Sequence, residues 1–229
     1  LSQTFSNFEI IVVNDFSTDN TADILNELQS LDERIKILEN PYNMGVAQTR
    51  NNGVRAASGE YIAFLDADDL WKKDKLEKQF KLVESTSTEF VYTGCDFIDE
   101  EGKSVNLKFK VPEQAILNKL LKQNYICQSS VLLKRELALQ FPMEKSELIE
   151  DFICWVKILR SGVKAYGITE KLITYRLTKK SRSSKKIKLF KKQYKSLRFL
   201  GYGSLKSLFY TIVISLNSIK KYWTRILKR

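Results

Sequence analysis

The 229-residue sequence predicts an α/β fold: a mostly parallel sheet with flanking helices, then a basic helical appendage. Three observations carry this. Short apolar runs alternate with stretches of helical period through the first hundred residues. Acidic residues stand at the ends of those runs, where ligands bind in open α/β sheets. Charge is also segregated: from Lys171 to Arg229 there are 18 Lys+Arg and no Asp or Glu. The first 170 residues then hold 20 basic and 27 acidic residues, so an acidic body carries a basic tail under a net charge of +11.

The elements follow in order. Phe8 to Val13 is a continuous apolar run rich in β-branched residues, as in a buried parallel strand. Asn14-Asp15-Phe16-Ser17-Thr18-Asp19 supplies turn and helix-cap chemistry. Ala22, Ile24, Leu25, Leu28 and Leu31 keep helical spacing, and Ile35-Lys36-Ile37-Leu38 is a second strand closed by Asn40-Pro41. A helix is expected from Val46 to Ala57, with Gly59 at its C-terminal cap. Tyr61 to Leu65 reads as a third buried strand that runs into Asp66-Ala67-Asp68-Asp69.

On an extended backbone Asp66 and Asp68 would point the same way. Two close carboxylates are costly unless a cation, a donor or a proton offsets them. A divalent metal bridging a diphosphate would do so, since Mg usually binds through one or two carboxylates plus substrate phosphates. The simpler role, open to Asp68 and Asp69, is capping a helix that starts near Trp71.

Composition narrows the chemistry. The chain has no histidine, which excludes Ser-His-Asp and Cys-His nucleophile systems and His-ligated zinc. Acid–base work falls to carboxylates, Lys, Tyr or Cys, and any metal is held mainly by oxygen, which favours Mg or Mn. Cys95, Cys127 and Cys154 form no CxxC pair and no disulfide framework, which suits a reducing compartment.

Further on, Glu89 to Gly94 reads as a strand, Asp99 to Gly102 as a turn, and Gln128-Ser129-Ser130 as a small polar patch before a strand. Glu150 and Asp151 precede an apolar helical stretch, where negative charge is favoured in any helix. In the tail, Ile187, Phe190, Tyr194 and Leu197 repeat at helical spacing among lysines. The uncharged stretch from Ser207 to Ile219 falls short of the ~18–20 residues that span a bilayer. This pattern predicts attachment to an anionic membrane surface; a C-terminal helical hairpin on the body or on a partner is the alternative. No RNP, helix-turn-helix or zinc pattern points to nucleic acid.

Asn43-Met44-Gly45 through Gly53, then Ala57-Ser58-Gly59 through Trp71, resemble the family 2 glycosyltransferases, including those of bacterial O-antigen and capsule synthesis. So do Gln3 to Asp19, Leu76-Glu77-Lys78-Gln79, the Glu150-Asp151 pair and the closing Lys171 to Arg176 with Ser181-Arg182-Ser183. The resemblance runs to about residue 183. It implies the GT-A fold over 1–183, with a nucleotide-sugar half over about 1–100, an acceptor half over about 101–183 and a tail over 184–229.

It also implies metal-dependent, inverting transfer of a single sugar from a nucleotide-diphospho-sugar, by expectation a UDP-sugar, to a lipid-linked or polysaccharide acceptor. Mn or Mg is the implied cofactor, and the inner face of the cell membrane the implied location. Residue by residue, Asp15 matches the acid that contacts the nucleotide base, and Arg50 the arginine near the donor's ribose or diphosphate. Asp66 and Asp68 match the DxD motif, with Asp66 toward the donor sugar and Asp68 toward the metal. Asp151 matches the catalytic base, with Glu150 as the alternative or as an orienting acid. Two departures stand out. Phe16 replaces the usual turn glycine, and Thr178 stands where many relatives carry a histidine, so either metal ligation is weaker or completed by water, or Lys179, Lys180 or Arg182 neutralises phosphate instead. These departures leave a catalytically impaired binding or assembly protein on the same scaffold as the alternative function. Relatives begin one strand-helix unit earlier, so these 229 residues are expected to be part of a longer protein.

Overall fold

The computed structural model describes residues 1–107, 109–145, 147–178 and 186–226. Lys179, Lys180, Arg182 and the rest of the Ser181-Arg182-Ser183 loop lie outside the described residues.

β1 (Ile10–Asn14) runs parallel to β2 (Ile35–Glu39), with α1 (Thr21–Leu31) as the crossover. The apolar runs and the helical period place these three elements to within two residues. α2 (Val46–Ala56) leads to β3 (Tyr61–Ala63), and here the expected continuous parallel sheet changes. β3 pairs antiparallel with β6 (Leu132–Lys134) in a five-stranded sheet of order β3-β6-β5-β7-β4. The other strands are β4 (Leu70–Trp71), β5 (Phe90–Ile98) and β7 (Ala165–Arg176). Within this sheet only β5 and β7 are parallel, so the α/β fold is mixed rather than mostly parallel. An apolar run carries no information about its partner's direction. Because β3 and β5 both oppose β6, and β7 follows β5, the carboxyl ends of β3, β5 and β7 share one edge.

Three local expectations are corrected. Gly59 is no helix cap: α2 ends where the extended Ala57 donates its N–H to Gly53, and the N–H groups of Ser58 and Gly59 bind Glu9 instead. Strand β3 stops at Ala63, so Asp66 to Asp69 form a turn closed by the Asp69 N–H on the Asp66 carbonyl at 3.0 Å. The helix expected near Trp71 starts at Lys75 (α3, Lys75–Thr86), because Leu70 and Trp71 are taken up in pairing with Thr174 and Ile173.

The core lies between the five-stranded sheet and α6 (Glu150–Arg160). Phe90, Phe152 and Trp155 are fully buried, and the Phe90 and Trp155 rings sit 5.0 Å apart. Trp155 is therefore a core residue. Two short helices, α4 (Leu117–Leu120) and α5 (Arg135–Gln140), close the sides. The tail forms a hairpin of α7 (Lys186–Phe199) and α8 (Ser204–Ile226). Leu197, Leu200 and Tyr210 join the main core, Ile149 N–H donates to Ser196 Oγ at 2.9 Å, and Arg160 donates to the Leu200 carbonyl at 2.7 Å. Cys95 and Cys127, distant in sequence, bring their thiol sulfurs to 3.4 Å. No described helix is long and apolar enough to cross a membrane.

Gly167 fixes how closely β7 can lie against β5, whereas Gly102 sits in the open turn after β5. A Cβ on Gly167 would lie 2.1 Å from the Pro112 carbonyl oxygen and 2.7 Å from the Tyr92 ring. A Cβ on Gly102, at φ +82°, would meet nothing within 4 Å. Gly167→Ala is expected to cost about 3 kcal/mol or more in urea unfolding, through overpacking. Gly102→Ala should cost only the left-handed backbone penalty of about 1–2 kcal/mol.

Candidate active site

Arg50, Asp66 and Glu150 meet directly, while Asp15 stands at the end of β1 in the separate two-stranded sheet. Asp15 follows β1 and reaches back to the start of α2. Its carboxylate accepts hydrogen bonds from Asn40 Nδ2 (2.8 Å), Met44 N–H (2.8 Å) and Gly45 N–H (2.9 Å). Burial pushes this carboxyl up, but the bonds from Asn40, Met44, Thr49 and Gly45 outweigh it and hold its pKa below the ordinary 3.8. The turn after Asp15 survives the loss of glycine. Phe16 takes φ 62° with its ring 55% exposed, and Asn14 Oδ1 accepts the Ser17 N–H at 3.1 Å.

Arg50 is the centre of the site. It projects from α2 with its side chain 11% exposed, so it is not a solvent-facing helix arginine. One guanidinium nitrogen is ion-paired to Asp66; the other donates to Glu150 at 3.3 Å. Glu150, the first residue of α6, is 3% exposed. Three predicted residues from distant parts of the chain thus meet directly. Asp151 stands beside Glu150 in the first turn of α6, half-buried, and its Oδ1 accepts the Phe152 N–H at 2.7 Å.

The acidic turn has its own supports, and motif reading missed them. Ser129 Oγ accepts the Asp66 N–H at 3.1 Å and donates to Asp69 Oδ2 at 2.6 Å. Arg176, at the end of β7, donates its N–H to Asp69 Oδ1 (3.0 Å) and its Nε to the Asp68 carbonyl (3.1 Å). Asp69 is therefore a buried anchor, not a helix cap. Burial raises its pKa to about 6 against the lowering bonds from Ser129 and Arg176, with the charges of Asp66 and Asp68 adding to the rise. Beneath the turn, the fully buried Lys75 lies 3.9 Å over the Trp71 ring and donates to Gln79 at 2.7 Å. The polar Gln128-Ser129-Ser130 patch was the only sequence signal for this layer.

Asp68 remains exposed at the rim. One guanidinium faces both Asp66 and Glu150, and Asp68 adds a further carboxylate, so the cluster has excess negative charge. Among the described residues no group of three or more His, Cys, Asp or Glu forms a metal cage. The donor set instead suits a hard cation that takes one or two carboxylates and completes its shell with substrate and water oxygens. Thr178 is half-buried after β7 and brings no nitrogen ligand.

Residues 1–138 match the model of the glycosyl transferase family 2. The chain belongs to this family. It is 36% identical, over 96% of its own length and 88% of the relative's, to a Bacillus subtilis (strain 168) protein named as a teichuronic acid biosynthesis glycosyltransferase, TuaG. It is 35% identical over 97% of its length (86% of the relative's) to the Escherichia coli UDP-Glc:alpha-D-GlcNAc-diphosphoundecaprenol beta-1,3-glucosyltransferase WfgD. The fold is shared with S. aureus TarS 1-349 in complex with UDP-GlcNAc (TM-score 0.69, 15% identity, 90% of this chain and 62% of that one). It is shared too with the Pyrobaculum calidifontis mannosyltransferase PcManGT in complex with GDP-Man and Mn2+ (TM-score 0.67, 19% identity, 93% of this chain and 62% of that one). The chain thus spans about three fifths of those solved chains. The family 2 chain is a glycosyltransferase of the GT-A fold.

Asp69 gives the site a pH signature. An acid whose folded pKa exceeds its ordinary 3.8 binds its proton more tightly in the fold, so its contribution is full below pH 4 and is lost as pH rises through 6. The stability of wild type minus that of Asp69→Asn should therefore fall by up to about 3 kcal/mol between pH 4 and 7 and stay flat above, by urea melts.

Proposed function

We propose that this glycosyltransferase moves one sugar from a UDP-sugar to a lipid-linked or polysaccharide acceptor in cell-surface glycan synthesis, with inversion and with Mn or Mg. The observation that carries the reading is the Arg50–Asp66–Glu150 ion cluster beside the exposed Asp68, at the carboxyl ends of the strands. The names of TuaG and WfgD support the surface-glycan role and the lipid-linked acceptor. The TarS and PcManGT complexes support a nucleotide-sugar donor and a divalent cation.

Each residue has a part in this reading. Asp15, held ionised by four donors, accepts from the base of the nucleotide. Asp66 faces the donor sugar or ribose, and Arg50 sets its position while offering charge toward the diphosphate. Asp68, exposed at the rim, and Asp66 would hold the cation, which when bound would supply charge neutralisation for the leaving diphosphate. Asp151 takes the proton of the acceptor hydroxyl as that oxygen attacks the anomeric carbon from the face opposite the diphosphate. Glu150 is the positioning acid, because Arg50 already engages its carboxylate. Phe16 leaves the turn after Asp15 intact, which removes one reason to expect impaired donor binding. The basic tail supports work at an anionic membrane surface.

Donor turnover and sugar transfer, assayed over a panel of UDP-sugars with Mn and a lipid extract as acceptor, test the reading. Asp151→Asn should lower transfer by about 10²–10⁴-fold with donor binding unchanged. Full transfer by this variant would move the base elsewhere. Asp68→Ala should weaken metal-dependent donor binding measured by calorimetry; equal affinity with and without Mn would remove Asp68 from the metal.

A further inference from the structure

α8 presents an exposed apolar stripe. Leu205 is 86% exposed and Phe209 56%; Leu208, Ile212, Leu216 and Ile219 are exposed with them. Their spacing of three and four residues lines them along one stripe of the helix. The inward side carries Tyr210 and Ile214 against the core, with the fully buried Ser207 and Thr211 hydroxyls bonded to the carbonyls of Tyr202 and Ser207. A helix that only packs on a body in water needs one apolar stripe; α8 has a second one facing out. Beside the stripe, a groove between α7 and α8 is walled by Lys191 and Lys195 on one side and by Leu205 and Leu208 on the other. Lys186, Lys188, Arg198 and Lys206 are exposed, and no acid occurs from residue 171 onward.

We propose that the outer face of α8 lies in the plane of an anionic lipid bilayer, its apolar stripe in the interface and the α7 lysines against the headgroups. Charge selects this occupant. A second copy would bring one acid-free basic face against another, whereas anionic lipid neutralises the lysines and accepts the stripe together. The length agrees: the uncharged run from Ser207 to Ile219 is too short to span a bilayer but long enough to lie on one. The proposal rests on the membrane-side reading of the acceptor and names the surface that achieves it.

Removing 185–229 would take away the core side chains Leu197, Leu200 and Tyr210, so surface substitutions are the proper test. Wild type should float with vesicles of equal phosphatidylglycerol and phosphatidylcholine, and at least tenfold less with phosphatidylcholine alone. Phe209→Glu/Ile212→Glu should lower flotation at least tenfold. Lys191→Glu/Lys195→Glu should lower it about 5-fold per lysine. Both should keep the wild-type thermal midpoint and turnover on a water-soluble acceptor; if the first melts early, Phe209→Ser/Ile212→Ser replaces it. Undiminished flotation of a folded stripe variant overturns the proposal. So does a dimer in vesicle-free solution that the stripe variant dissolves. Flotation lost on stripe substitution in a protein that turns over no sugar nucleotide would uphold the surface and refute the transfer reading.

Discussion

The Arg50 guanidinium ties together parts of the chain that are far apart in sequence. It comes from the middle of α2, and its partners are the turn after β3 and the first residue of α6. Glu150 is almost fully buried, and the guanidinium offsets the cost of burying its carboxylate. Removing one partner of such a buried pair typically costs about 3–5 kcal/mol, because a charge is left uncompensated. The same contact sets the distance between the donor end of the sheet and the helix that carries Asp151. Fold and chemistry therefore depend on one side chain.

Around this contact the site is held by hydrogen bonds rather than by helix caps. Ser129 connects the backbone of Asp66 to the side chain of Asp69, and Arg176 closes the turn from the last strand. A turn pinned from two sides keeps Asp66 and Asp68 in place despite their mutual repulsion. Asp69 absorbs part of that repulsion in its raised pKa. The fully buried Lys75, over the Trp71 ring and bonded to Gln79, is the kind of costly buried group that a well-satisfied scaffold tolerates.

The C-terminal hairpin has two jobs on two faces. Its inner side completes the core through Leu197, Leu200 and Tyr210 and supports the start of α6 through Ser196. Its outer side combines apolar and basic character in a way that water alone would not favour. The α7 repeat is split between core and surface, since Leu197 is fully buried while Phe190 and Tyr194 are half-buried. Ile187 is 76% exposed while Gln193 and Ser196 are buried, so α8 rather than α7 carries the large apolar surface.

Much of this was legible in the residue order. Apolar runs and helical period located β1, α1, β2 and α2, since burial imposes those periods on any chain. The family motifs pointed to Asp15, Arg50, Asp66, Asp68, Glu150 and Asp151, because local spacing around a strand end is a local property. Strand direction was not legible: β3 pairs antiparallel with β6, seventy residues away, and nothing in Tyr61 to Ala63 encodes that partner. Nor were Ser129 and Arg176 legible as supports of the acidic turn, or the meeting of Cys95 with Cys127. By itself the sequence determined the family, the acids at the strand ends and the basic tail. Only the tertiary structure decided which acid Arg50 neutralises, that Asp69 is buried rather than capping, and which side of α8 faces out. Those outcomes depend on long-range contacts and desolvation, which residue spacing does not carry.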